Sequence, residues 1–347
     1  MSAATVATVC GDVPAGDLGI VASHEHLLYG LPGWQHAPEV ELDRAAAFEQ
    51  LLARLEEFKR LGGRTLVDAS GISLGRNVPL YRRLSEVSGV NIVAATGFDS
   101  QETSIPTHFR LIGFFYRGQG PLQWKRAIPG HFAPSHSGSK EYLMFLFYNE
   151  LTEGMAAPSM IRSLAKAGLV RTGAGGDRLT PVEELAIRGA AMAARKAGLP
   201  VFTSRQGQGQ LELLLAEGLA PGRIVIGHCD DARAVDAQRD RRFAERGAYV
   251  AYDHIGWERD AAHAMPDEER VALAKGMVDA GFAERVVLSC SAIGIGLGTP
   301  RSSHGYAHLL REFVPRLQKA GVAEAAIETM LVANPKRLLS PLAPETV

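Results

Sequence analysis

Apolar residues in this chain fall into short continuous runs that alternate with longer stretches repeating at helical spacing. The runs are 18–23, 65–68, 92–96, 169–171, 200–203, 224–227, 248–252 and 286–289. Continuous rather than alternating hydrophobicity is what a parallel strand shows when both faces of its sheet are covered. Between the runs, alanine, leucine, glutamate and arginine recur with helical periodicity over 42–61, 78–87, 142–167, 181–197, 210–217, 232–245, 266–280 and 306–319. Thr180-Pro181-Val182-Glu183 reads as a helix start, with a capping hydroxyl, proline at the first helical position and glutamate three residues after the cap. Gly198, Gly247, Gly281 and Gly321 follow helices and suit a left-handed C-terminal position. Eight strand-then-helix units predict an α/β chain folded as one (β/α)8 TIM barrel, a single domain over 1–347, because a doubly wound sheet seldom needs so many units.

One connection departs from the rhythm. Residues 97–140, after the third strand, are too long for an ordinary strand-to-helix loop and carry Phe98, Phe109, Phe114, Phe115, Tyr116, Trp124 and Phe132. Such a loop either packs its own aromatics over the barrel or forms an apolar wall of the pocket.

Active sites of this fold gather at the C-terminal ends of the strands. The polar residues there are His24, His26, Asp68, Ser70, Asp99, Arg171, Ser204, Arg205, His228, Asp230, Asp231, Asp253, His254 and Ser291. Strand alternation sets His24 and His26 on one face with Glu25 turned away. Asp68 and Asp253 read as carboxylates that cap the following turn or bind loop amides. Ser204 and Ser291 lie in no GxSxG elbow, and Cys290 alternates toward the helices.

The chain has 347 residues, 46% of them hydrophobic, enough to bury a large core. Lys+Arg 37 against Asp+Glu 38, with no basic run interleaved with aromatics, argues against a nucleic-acid partner. No window approaches the ~20 apolar residues that span a bilayer, and the first residues lack a signal-peptide pattern, so a cytoplasmic protein is expected. Cys10, Cys229 and Cys290 are odd in number and far apart, which suggests neither a disulfide framework nor a cysteine zinc site.

Several blocks together resemble the phosphotriesterase family of the amidohydrolase superfamily. They are Leu18-Gly19 with His24-Glu25-His26-Leu27, Gly63-Arg64-Thr65-Leu66-Val67-Asp68, Leu74-Gly75-Arg76, Ala94-Ala95-Thr96-Gly97, Ile226-Gly227-His228-Cys229-Asp230-Asp231, Asp253-His254-Ile255 and Asn334-Pro335-Lys336-Arg337. The resemblance implies a TIM barrel, a homodimer and two divalent metals held by an HxH pair, a carboxylated lysine, two histidines and an aspartate, acting on phosphotriesters, lactones or related esters. This sequence departs from that pattern at three of the six ligand positions, where Arg171, Ser204 and Ser291 stand. A guanidinium cannot form the bridging carbamate.

A binuclear centre is therefore not expected, and a single zinc on His24, His26 and His228 would have Arg171 beside it, at a cost on the order of a few kcal/mol even with an effective dielectric near 20. The expectation is an enzyme without a cofactor, acting on a small substrate with an anionic or carbonyl head. Arg171 would stabilise developing charge, and His24, His26, His228 and His254 with Asp231 would move protons. Ser204, Arg205, Ser291, Phe98, Asp99 and Trp124 are the candidate substrate contacts. The alternatives are a one-zinc ester or lactone hydrolase and a noncatalytic binding protein.

Overall fold

A computed structural model describes residues 4–109, 140–156, 161–176, 178–205, 208–233, 235–258 and 265–343. The expected strands are all present: β3 (Ile20–Gly30), β4 (Gly63–Asp68), β5 (Asn91–Gly97), β6 (Leu169–Thr172), β7 (Val201–Thr203), β8 (Ile224–Ile226), β9 (Tyr249–Tyr252) and β10 (Val286–Leu288). Each is hydrogen-bonded in parallel to the next, from β3 to β10. The Ser291 N–H donates to the His24 carbonyl at 2.9 Å and the His26 N–H to the Ala292 carbonyl at 3.0 Å, which joins the eighth strand's end to the first and closes a (β/α)8 barrel. An additional strand, β11 (Ile293–Leu297), extends this seam along β3.

Two buried layers follow from strand alternation. Val21, Val67, Val93, Leu169, Phe202, Val225, Tyr249 and Val287 pack inside the barrel. Their sequence neighbours Ala22, Leu66, Ile92, Val170, Val201, Ile224, Val250 and Val286 pack outward in the second layer. Cys290 belongs to that outer layer, as its alternation indicates. The sequence pattern did not give the hairpin of β1 (Thr5–Thr8) and β2 (Gly11–Pro14), since four-residue strands carry too little periodicity. Val6 of that hairpin, with Ala15, Leu18, Leu338 and Leu339, joins the inner layer at the strands' N-terminal end. The opposite end carries the polar residues.

The helix 181–197 starts with the expected capping box at Thr180 and Glu183 and ends at a left-handed Gly198 with φ 69°. The pattern over 142–167 instead gives a helix at Lys140–Thr152 that stops early. Gly154 then takes φ 128°, and the Met155 N–H donates back to the Ala165 carbonyl at 2.8 Å, so the remainder returns along itself. Of the long connection after the third strand, 110–139 lies outside the described residues, and with it Trp124. Its first part is core: Phe98 is 1% exposed and packs against Phe109 and Phe147, with ring centroids 5.0 and 5.5 Å away. Among the described residues no helix is long and apolar enough to cross a membrane.

Glu150 of this shortened helix is tied to the barrel by a buried two-pronged pair, Arg76 Nη1 and Nη2 donating to its two oxygens at 2.7 and 2.8 Å. Arg76 also donates to the Ala95 carbonyl at 2.9 Å. Burial pushes the Glu150 carboxyl up, but the Arg76 charge and its hydrogen bonds outweigh this and hold it below the usual carboxylate range. The depressed value means that this pair stabilises the fold fully above the ordinary glutamate range, and that the stability is lost as pH falls through the folded-state value. Replacing Glu150 by Gln is expected to cost about 3–5 kcal/mol, because a buried guanidinium is left without its counter-charge. Chemical denaturation as a function of pH checks both statements: the variant should show a smaller acid-side fall in stability than the parent, and equal stabilities at neutral pH would contradict the assignment.

Candidate active site

Arg171 ends β6 with its side chain 3% exposed in the mouth of the barrel. Its Nη1 lies 2.7 Å from His24 Nε2, and its Nη2 donates to Asp99 Oδ2 at 2.6 Å. A guanidinium carries donors only, so His24 Nε2 must accept. The ring proton of His24 then sits on Nδ1, 2.7 Å from Asp253 Oδ2, and donates to that carboxylate. Asp99 accepts a hydrogen bond from the Ser204 hydroxyl through Oδ1. One chain of contacts thus runs from Asp253 through His24, Arg171 and Asp99 to Ser204, linking the ends of strands one, three, four, five and seven.

The electrostatics follow from the same contacts. Burial lowers the His24 pKa well below the ordinary histidine value, and Arg171 lowers it further, against a smaller opposing effect of Asp99. The ring is neutral at pH 7. His26 is lowered well below that value too, by burial first and then by His24 and Arg171. Burial alone would raise Asp99, but Arg171 and the Ser204 hydroxyl hold its carboxyl below the usual range. Asp99 is therefore the ionised partner that neutralises Arg171. Burial pushes Asp253 up to about 7, with the His228 N–H and Arg171 opposing.

Asp253 does more than cap a turn. Its Oδ1 accepts the His228 N–H at 2.8 Å while Oδ2 holds His24. His228 itself adopts φ 56°, and Arg205 and Ser291 take φ 54° and 45°. Left-handed backbone in residues other than glycine persists where surrounding contacts over-determine it, and here the three instances all stand at barrel strand ends. The rings of His24 and His228 stack with centroids 5.3 Å apart, and His254 lies 4.3 Å from His228.

His26 Nδ1 faces the Ser70 hydroxyl at 3.1 Å, and because Ser70 already donates to the Leu28 carbonyl at 2.9 Å, the imidazole is the donor. Asp68 accepts the Leu27 and Ser70 N–H groups, as expected of a carboxylate binding loop amides. Asp231 binds Arg233 through both oxygens, and His254 Nδ1 stands 3.9 Å from Asp230 Oδ1. Arg205 is exposed and donates to the Gly175 carbonyl at 2.7 Å. The Ser291 hydroxyl is buried and has no hydrogen-bond partner among the described residues. Sequence reading placed Ser70 among the strand-end residues without a role and did not single out Gly173. The space that a Cβ on Gly173 would need is filled by Asp99 Oδ1 and Ser204 Oγ.

Donor atoms able to hold a metal converge in two groups, His24 with His228 and Asp253, and Asp230 with Asp253 and His254, the atoms of each lying within 4.8 Å of one another. Asp253 thus joins two of the three histidines expected from the sequence, His24 and His228; His26 is in neither group, and its Nδ1–H donation to Ser70 leaves its lone pair on Nε2.

The model of the phosphotriesterase family matches residues 4–109 and 125–339. A phosphotriesterase homology protein of Mycobacterium tuberculosis is 28% identical over 344 residues, 95% of this chain and 96% of that protein. A phospho-furanose lactonase of Mycoplasmopsis synoviae is 27% identical over 354 residues, covering 96% of this chain and 91% of its own. The organophosphorus hydrolase of Deinococcus radiodurans superposes with a TM-score of 0.82 at 29% identity, covering 97% of each chain.

Enzymes of this family normally use a binuclear metal centre, and the structure offers the two donor groups above, so the expectation of no cofactor is overturned. The reason is physical. That expectation treated Arg171 as an uncompensated positive charge and Asp253 as a turn cap, whereas Asp99 neutralises the guanidinium and Asp253 supplies a carboxylate beside two imidazoles. Matched over almost its whole length, this (β/α)8 chain belongs to the phosphotriesterase family and is a hydrolase of that family.

Proposed function

We propose that this protein hydrolyses a small-molecule ester or lactone bearing an anionic or carbonyl head, with one divalent ion at His24, His228 and Asp253, taken up as His24 Nε2 exchanges Arg171 for the ion, and the Arg171–Asp99 pair standing where the family keeps its second. The observation that carries this reading is the convergent two-histidine, one-carboxylate donor group beside the buried, charge-compensated Arg171–Asp99 pair. Two ions do not fit: Arg171, Ser204 and Ser291 supply neither a bridging carbamate nor the remaining imidazole and carboxylate, and two cations need anionic ligands to offset their repulsion. A set of two imidazoles and a carboxylate suits one zinc with an open position. When bound, such an ion acts as a Lewis acid on the ester carbonyl and activates water.

The protein's own groups account for the rest. Asp253 holds the Nδ1 proton of His24 and so leaves Nε2, the nitrogen that Arg171 contacts, as the one an ion would take. Asp253 also shapes the backbone that presents His228. His254, tilted against His228 with ring centroids 4.3 Å apart, is a proton carrier for the leaving group, its Nδ1 standing 3.9 Å from Asp230 Oδ1. Arg205, exposed on the loop after β7, offers a cation to an anionic head group, and Ser204 and Asp99 are positioned by Arg171 and by one another.

Metal analysis of protein purified without chelator, followed by removal and zinc replacement, tests the central claim. About one equivalent per chain should be found, and esterase or lactonase turnover should fall on removal and return with zinc. Two equivalents would show that the Arg171 pair does not displace the second ion, and full turnover with none would eliminate the metal assignment.

Changing Arg171 to Ala should lower kcat/KM by about 100-fold or more while the protein stays folded, since it frees His24 from its tautomer and strands the buried Asp99 charge. Lys at 171 should recover part of this, because an ammonium keeps the charge but cannot hold His24 and Asp99 in one planar fork. Steady-state kinetics on both variants measure the difference, and parental rates in the Ala variant would remove Arg171 from the machinery.

Gly173→Ala is expected to separate Asp99 from Ser204 and reduce kcat/KM by about tenfold or more with a smaller change in Tm. A variant as active as its parent would show that the Asp99–Ser204 contact is incidental.

A further inference from the structure

Ser291 carries a non-glycine left-handed backbone at the end of the eighth barrel strand, and the peptides on both sides of it are tied down. Glu25, fully buried, lies at the centre of these ties. Its Oε1 accepts the Ser289 hydroxyl at 2.7 Å and the Cys290 N–H at 2.9 Å, and its Oε2 accepts the Ala292 N–H at 2.7 Å. Ser289 Oγ in turn accepts the His24 N–H at 2.8 Å. The Ser291 N–H donates to the His24 carbonyl, and the Ala292 carbonyl accepts from His26. On the other side, Trp257 Nε1 donates to the Cys290 carbonyl at 2.6 Å. Within this cradle the Ser291 hydroxyl, on a residue 5% exposed, is left without a partner among the described residues.

We propose that the Ser291 hydroxyl is a substrate-contacting group that donates a hydrogen bond to the acceptor oxygen of the bound ester or lactone, and that Glu25 is the positioning residue that sets it there. The inference rests on the hydrolase reading above. Two features point the same way. A buried hydroxyl that lacks a partner loses the hydrogen bonds it would make with water, an expense a core position avoids by carrying an apolar residue. A left-handed serine is strained, and a fold that clamps the peptides around it is holding that geometry in place. Hydrogen-bonded to the His24 carbonyl, the residue stands on the rim beside the donor group of His24, His228 and Asp253. Its neutral hydroxyl complements a carbonyl or ring oxygen, leaving the anionic part of the substrate to Arg205.

Ser291→Ala, Ser291→Thr, Glu25→Gln and the Ser291→Ala/Glu25→Gln double variant, assayed on an ester and lactone panel, test the pair. Ser291→Ala should lower kcat by about 10- to 100-fold with an unchanged Tm, and Ser291→Thr should retain most of the rate. Glu25→Gln puts an amide donor against a backbone N–H and should fall to the level of Ser291→Ala, with the double variant no lower. Amide hydrogen exchange at Cys290 and Ala292 should accelerate in Glu25→Gln and remain slow in Ser291→Ala. Parental kcat in Ser291→Ala overturns the contact, and a Glu25→Gln variant that loses Tm but keeps kcat overturns the positioning role.

If the parent turns over no ester or lactone, the hydrolase reading fails separately. The contact is then judged by titrating 2-pyrrolidinone, an unreactive lactam with the same acceptor oxygen. A loss of about tenfold in its affinity on Ser291→Ala supports the contact, and unchanged affinity removes it.

Discussion

A guanidinium can only give hydrogen bonds, and the mouth of this barrel is organised by that one-way constraint. Once Arg171 lies between His24 and Asp99, the proton positions around it are no longer free. His24 must accept at Nε2, must carry its proton at Nδ1, and must give it to Asp253. Asp99 must be ionised to offset the buried charge, and its second oxygen is then free to accept from Ser204. A lysine at this position would impose none of this, because its single ammonium cannot address a ring nitrogen and a carboxylate in one plane.

Around this centre the barrel rim is held by buried carboxylates that accept backbone N–H groups of neighbouring strand ends. Glu25 binds the loop after the eighth strand, and Asp68 the first strand and its own turn. Asp230 accepts the Asp253 and His254 N–H groups at 3.1 and 2.9 Å and is itself paired with the fully buried Arg270. Asp253 completes the series toward His228. Burial pushes Glu25, Asp68, Asp230 and Asp253 up, to about 8, 6, 7 and 7, even with these donors in place. Strand ends in a barrel leave amides with no ladder partner, and a carboxylate set into the neighbouring strand satisfies them without adding a loop. The strained positions of His228 and Ser291 occur beside such clamps, at Asp253 and Glu25 respectively.

The barrel was legible in the sequence because each strand is buried on both faces and so reads as a continuous apolar run, a signal that survives even in the three-residue β7, β8 and β10. The His24–Glu25–His26 spacing likewise put the two imidazoles side by side, their ring centroids 5.3 Å apart, since strand alternation needs no knowledge of partners. What the sequence could not carry was pairing across the mouth. Asp99 and Arg171 are 72 residues apart, and His24 and Asp253 are 229. Read alone, Arg171 was a bare cation and Asp253 a turn residue, and both errors bore on the same question of whether a metal could be held. The helix ending at Thr152 was overestimated for a different reason: helical periodicity continues to Ala167, but Gly154 and the return of the chain at Met155 override it.

The departures from the family's ligand set are better understood as one substitution than as three. Arg171 can be buried because Asp99 reaches it, and Asp99 reaches it because Gly173 and Ser204 leave room on the adjacent strand ends. An imidazole at 204 would occupy the space that Asp99 and Gly173 share, and without Asp99 the guanidinium would lie beside His24 as an unbalanced charge. Restoring a single family ligand would therefore break the new network before it rebuilt the old one. A neutral Arg171–Asp99 pair also puts little net charge beside the donor group that His228 and Asp253 share with His24.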